Sequence, residues 1–167
     1  SDETIGFKVD SLDIGGVKNR TGYHKVKDEK IDAIMEPYWC DYTKEGAERF
    51  LETTIATPVL KNDEFVGLVG IDLELKSFQT IINNVKVFDS GFAFLLSNTG
   101  IYVSHPKDTV VGKNFVEINP VEDKTYNISE KIKKGERFDF TTTYDVTGEE
   151  LYVVFVPLKV GETKTPW

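Results

Sequence analysis

The stretch 53–75, TTIATPVLKNDEFVGLVGIDLEL, is compatible with little other than a long β-hairpin. Thr53, Ile55 and Thr57 alternate with Thr54, Ala56 and Pro58, and Val59 and Leu60 close the first arm. The polar run 61–64 supplies residue types that tolerate tight backbone geometry. The second arm, 65–75, is apolar apart from Asp72 and Glu74 and holds two glycines, Gly67 and Gly70. Glycine weakens a strand, so two of them predict a close backbone approach or a local twist. Asp72 sits inside GLVGIDLEL, where a carboxylate is costly to bury without a partner. It is therefore expected to be a buried acidic group kept for a purpose.

Other elements follow from pattern. The segment 5–9, IGFKV, reads as a short strand. Segment 12–23 is a glycine-broken loop carrying Arg20, and 25–30 is charged and solvated. A strand over 31–35 leads into Pro37, Tyr38 and Trp39, and 41–49 is a polar loop. Phe78, Ile81 and Ile82 stand at helical spacing, which predicts a helix over 77–84 capped by Ser77. A second unit begins near Gly91, with strands over 91–98 and 101–106 joined by a turn at Thr99-Gly100. Segment 106–117 reads as irregular and 127–134 as a short helix. The alternating run 138–143, a turn at Thr147-Gly148 and the apolar run 151–158 form a second hairpin. Each half thus closes on strand, polar turn, strand. Short polar turns between apolar strands predict an α+β fold with antiparallel sheets, two units (1–88 and 89–167) and few helices.

Composition removes several functions. With 28 acidic against 20 basic side chains the net charge is −8, and no basic patch offers itself to nucleic acid. Cys40 is the only cysteine, so neither an intrachain disulfide nor a cysteine zinc site can form. No apolar run reaches membrane-spanning length. An enzyme or metal-binding domain using Asp72, Glu74, His105 or Asp108 is the alternative to a binding module, and a structural extracellular module is a third. The enzyme reading lacks a paired acid and base, a phosphate loop and ligand-spaced histidines. Ser104 and His105 are adjacent in a strand and point apart, so they make no catalytic pair. No cofactor or metal is called for.

The run GFAFLLSNTGIYVSHPKDTVVGKN resembles the membrane-proximal signature of double Cache sensor domains. EPYW, then TTIATPV, then EFVGLVGIDLEL resemble the membrane-distal, ligand-binding half of the same family. The resemblance spans about residue 5 to the C-terminus. It implies two PAS-like units on a long N-terminal helix, here missing, in the extracytoplasmic sensor of a chemoreceptor or sensor histidine kinase. Membrane spans and an output module would lie outside this sequence, and the full receptor would be a homodimer. It implies no enzymatic activity and a small-molecule ligand, amino-acid-like or amine-containing.

Site residues follow from the same resemblance. Arg20 matches the family's carboxylate-binding arginine, with Tyr23 and His24 at the aromatic places that follow it. Asp72 matches the carboxylate that takes a ligand ammonium group, and Cys40 stands where an aspartate often follows the Pro-Tyr strand. Physically, a guanidinium holds a carboxylate through two parallel hydrogen bonds, and an aspartate offers an ammonium an opposite charge. Tyr38 and Trp39 offer flat walls, but as strand neighbours they face opposite ways, so at most one lines the pocket directly and the other is expected to be core. Thr54 and Ala56 put small side chains on one strand face. The plainer readings are that Arg20 is a solvated loop residue, Asp72 a structural partner of Arg20 or of a loop amide, Tyr23 packing, His24 exposed and Cys40 a half-buried filler.

Overall fold

A computed structural model describes residues 22–40, 50–143 and 148–167. The first described element is helix α1 (Gly22–Glu29), followed by β1 (Ala33–Ile34) and β2 (Tyr38–Cys40). The hairpin is present as β3 (Phe50–Lys61) and β4 (Glu64–Glu74). Its turn residues Asn62 and Asp63 both have positive φ, at 53° and 62°. Such angles suit asparagine and aspartate better than most side chains, which is why this dipeptide stands at the turn. Lys30, just past α1, donates from Nζ to the Asp63 carbonyl oxygen, tying the helix end to the hairpin tip.

β3 is the centre of the first sheet. β1 and β2 lie end to end along one of its edges, pairing Ala33 with Ala56 and Tyr38 with Glu52, and β4 runs antiparallel along the other. The register shifts between Val59 and Leu60, opposite Gly67, so that glycine marks an irregular point in the ladder. Gly70 marks the predicted close approach: a Cβ there would lie 3.2 Å from the Thr54 methyl group.

Helix α2 (Leu75–Asn83) follows β4 with no residue between them. It starts two residues before the expected site, and Glu74, not Ser77, occupies the N-cap position. Burial of Leu75 and packing of Phe78 one turn later outweigh the serine capping signal.

The rest of the chain holds β5 (Leu95–Leu96), β6 (Tyr102–Ser104), a 3-10 turn (Asp108–Val110) and helices α3 (Phe115–Ile118), α4 (Pro120–Tyr126) and α5 (Ile128–Lys134). The second hairpin is β7 (Phe138–Thr143) and β8 (Glu150–Phe155). The segment expected to be irregular is therefore partly helical, because Val110 and Phe115 are drawn into an aromatic core with Tyr102, Phe140 and Phe155. The strands expected over 91–98 and 101–106 are shorter, and the charged segment 25–30 lies largely in α1.

A separate cluster joins the first sheet to β5, β6 and the C-terminal residues. Ile34, Ile55 and Leu75 pack with Leu95, Val103 and Trp167. The α+β class with antiparallel sheets holds throughout. The strand expected over 5–9 and the loop over 41–49 lie outside the described residues.

Candidate functional site

Side chains alternate across a strand, so the pairing register assigns each predicted residue to a face. Tyr38 opposes Glu52, Cys40 opposes Phe50, Thr54 opposes Asp72 and Ala56 opposes Gly70. Tyr38, Cys40, Thr54, Ala56 and Asp72 therefore share one face. Trp39 opposes Leu51 on the other. Trp39 is 55% exposed, so the expectation that it belongs to the core is corrected. Its strand is three residues long and lies at a sheet edge, which leaves most of the indole uncovered. The ring nevertheless reaches toward Gly112. A Cβ on Gly112, which has φ +80°, would lie 3.8 Å from Trp39 Cζ2 and 2.9 Å from Leu51 Cδ2.

On the shared face three polar groups form a relay. The Thr54 hydroxyl donates to Asp72 Oδ1 at 2.6 Å. The Tyr38 hydroxyl lies 2.7 Å from Thr54 Oγ1, within hydrogen-bonding distance. Tyr38 also reaches Asp72 Oδ1 directly at 3.4 Å. Burial raises the Tyr38 pKa, and neighbouring Glu52 and Asp72 raise it further against the lowering effect of the Thr54 hydrogen bond. The phenol is therefore a neutral hydroxyl at any physiological pH.

Asp72 is not buried. It lies exposed on β4, which correects the expectation drawn from its apolar neighbours. Among the described residues β4 pairs with β3 alone, and its Val69 and Ile71 are themselves 61% and 62% exposed, so the apolar run is not an interior run. The buried carboxylate of this face is Glu52, at 4% exposure. Sequence reasoning missed it. The signal was available: extending the Thr54–Ala56 alternation back by two residues reaches Glu52, on the same face.

Helix α1 covers the far end of this face. Val26 is fully buried against Ala33 and Ala56, with Phe65 and Leu68 beside them. Tyr23 packs edge-on against Phe65 at 5.6 Å between ring centroids and against His24 at 5.4 Å, which supports its packing role. His24 is half-buried rather than exposed, because it sits in the first turns of a helix laid on the sheet. Cys40 is half-buried, as the filler reading expects. Arg20 lies outside the described residues. The arrangement is a sheet face with a phenol, a threonine and two carboxylates, roofed at one end by α1. Among the described residues no group of three or more His, Cys, Asp or Glu side chains is placed to hold a metal ion.

A groove of about 430 Å³ lies elsewhere, between β5, β8 and the C-terminal residues. Phe94, Leu96, Val154, Phe155 and Trp167 line it, and none of the predicted ligand-binding residues that are described does. With Glu136 as its only charged lining group among the described residues, it has little with which to orient a polar ligand.

The Cache domain family profile matches residues 10–167. The chain is a Cache domain. It is 35% identical over 142 residues to the methyl-accepting chemotaxis protein PscA of Pseudomonas syringae pv. tomato, covering 81% of this chain and 22% of that receptor. Among solved structures, it resembles the extracellular domain of the histidine-kinase candidate mmHK1S-Z3, with a TM-score of 0.70 and 28% identity over 86% of this chain and 51% of that one. It also resembles the ligand-binding domain of the Pseudomonas fluorescens chemoreceptor CtaA, solved with L-serine, with a TM-score of 0.61 and 25% identity over 90% of this chain and 58% of that one. The Cache domain described here thus spans about half of those solved domains and about a fifth of the receptor. These relatives are a chemotaxis receptor, the extracellular domain of a histidine-kinase candidate and the ligand-binding domain of a chemoreceptor. No helix among the described residues is long and apolar enough to cross a membrane.

Proposed function

We propose that this Cache domain is the extracytoplasmic ligand-sensing part of a transmembrane signalling receptor, and that the face carrying Tyr38, Thr54 and Asp72 binds the ammonium end of a small amino-acid-like or amine-containing metabolite. The observation that carries the reading is the relay from Tyr38 through Thr54 to Asp72, at 2.7 and 2.6 Å, on the face that α1 partly covers. The relay fixes the carboxylate in one orientation before a ligand arrives, which lowers the ordering cost of binding. Arg20 is assigned to the ligand carboxylate by family resemblance. Capture of L-serine by the CtaA domain supports the ligand class. The division into units 1–88 and 89–167, and a homodimeric membrane receptor around them, belong to the same proposal.

The test is a thermal-shift screen of this chain against amino acids and small amines. A true ligand at a hundredfold excess over its Kd stabilises by about 2.7 kcal/mol, which moves the Tm by several degrees in a domain of this size. No shift with any amine-containing compound would overturn the ligand class.

A further inference from the structure

The side chain of Gln79 occupies an unusual position between the two halves. It lies on α2, and its amide meets β6 in the manner of a neighbouring strand. Its Oε1 accepts from the His105 backbone N–H at 3.1 Å, and its Nε2 donates to the carbonyl oxygen of the same residue. Oε1 also accepts from the Ser104 hydroxyl at 2.8 Å, and Nε2 lies 3.2 Å from Asp108 Oδ1. Ser104 is fully buried, so without this amide its hydroxyl would lose its partner inside the protein, at a cost.

The helix that carries this clasp is continuous with the ligand-facing hairpin. Asp72 is the third-last residue of β4, and α2 begins at Leu75 with no loop in which motion can be lost. Leu75 is 1% exposed within the cluster shared by both halves, so the first turn is locked in place and the next turn presents Gln79 to β6. Other polar crossings exist among the described residues: the Thr99 hydroxyl donates to Glu36 Oε2 at 2.7 Å, the Glu162 N–H donates to Asp32 Oδ2 at 3.4 Å, and Lys164 Nζ lies 3.6 Å from Glu29 Oε2. Each is a single contact, whereas the clasp joins one side chain to three residues.

We propose that Gln79 is a positioning residue that transfers displacement of β4 to the end of β6, and so couples the ligand face to the second half of the domain. This rests on the ligand reading above for its physiological sense, but its test does not. Asp72→Asn perturbs the face without any ligand. The readout is amide hydrogen exchange at His105, together with the backbone amide shifts of 104–108. In the otherwise native chain, Asp72→Asn is expected to change the His105 exchange rate by threefold or more. In a Gln79→Met background, the same substitution leaves His105 unchanged. An equal response in both backgrounds, or none in either, overturns the proposal. Should Gln79→Met fail to fold, Gln79→Glu keeps the size and the Oε1 acceptor but loses the Nε2 donor to the His105 carbonyl oxygen, and the same insensitivity is expected. With a binding amino acid from the screen, Gln79→Met is expected to hold the Kd within twofold while abolishing the ligand-induced change at His105. Loss of affinity along with the change would place Gln79 in the binding site and overturn the coupling role. If no amino acid binds, the ligand reading fails, and the Asp72→Asn comparison still decides the clasp.

Discussion

Asp72→Asn separates two physical accounts of the ligand face. The substitution keeps the carbonyl oxygen that accepts from Thr54, so the 2.6 Å bond is retained while the charge is lost. Because Asp72 is exposed, the fold should tolerate it within about 0.5 kcal/mol, and the Tm should move little. Beyond the small local displacement of β4 that hydrogen exchange at His105 reads, what changes is the interaction with a ligand ammonium group. A hydrogen bond to a charged group covered by the bound ligand contributes about 1.5–3 kcal/mol. At about 1.4 kcal/mol per decade, that is about a tenfold to a hundredfold loss of affinity. An ion pair left open to water contributes only about 0.2–1 kcal/mol, which is at most about a fivefold loss. Isothermal titration calorimetry of both proteins with the tightest-binding amine from the screen, at fixed ionic strength, measures the difference. The ligand account requires a loss of tenfold or more that varies little between low and moderate salt. A loss below fivefold that vanishes with added salt would refute the reasoning, since the carboxylate would then be an ordinary surface charge.

Two further outcomes follow. Leu75→Ala removes a side chain that is 1% exposed from the cluster joining the halves and should cost about 2–5 kcal/mol in urea denaturation, with a single transition if the halves unfold together. His105 has its pKa lowered, chiefly by burial, and its Nδ1 accepts from the Lys107 N–H, whose side-chain charge lowers the pKa further. A lowered folded value means that the unfolded chain binds the proton more readily. This contribution to stability is therefore complete above the unfolded pKa of about 6.5 and is lost as pH falls through the folded value. Thermal melts between pH 7.5 and 5.5 should show a steeper decline for the native chain than for His105→Gln, and parallel curves would contradict the assignment.

The hairpin was legible because strand alternation and turn chemistry agree over its whole length. Much else depends on contacts that sequence pattern does not reveal. GYHKVKDE has one buried residue, Val26, and no apolar period, so α1 has no helical signature; it is held by packing of Val26 on Ala33 and Ala56. Ser77 is a good capping residue in the wrong place, because the buried Leu75 sets where α2 begins. The likeness to Cache domains assigned Asp72 and Tyr38 to one site, and the register places them on one face with Thr54 between them. Hydrophobic neighbours gave the wrong burial for Asp72, since an apolar run marks an interior only when both faces of the strand are covered, and those of β4 are not. Glu52 was overlooked because it precedes the apolar stretch that drew attention, although strand periodicity puts it on the face of Thr54 and Ala56; the register then sets it opposite Tyr38.

The most direct measurement of the central claim is an amide chemical-shift map of the labelled chain titrated with its binding amine. The largest shifts should fall on Tyr38, Thr54 and Asp72 and on the first turn of α1. If they fall instead on Phe94, Leu96, Val154 and Phe155, around the apolar groove, the ligand binds in the other half and the assignment of the β2–β3–β4 face is wrong.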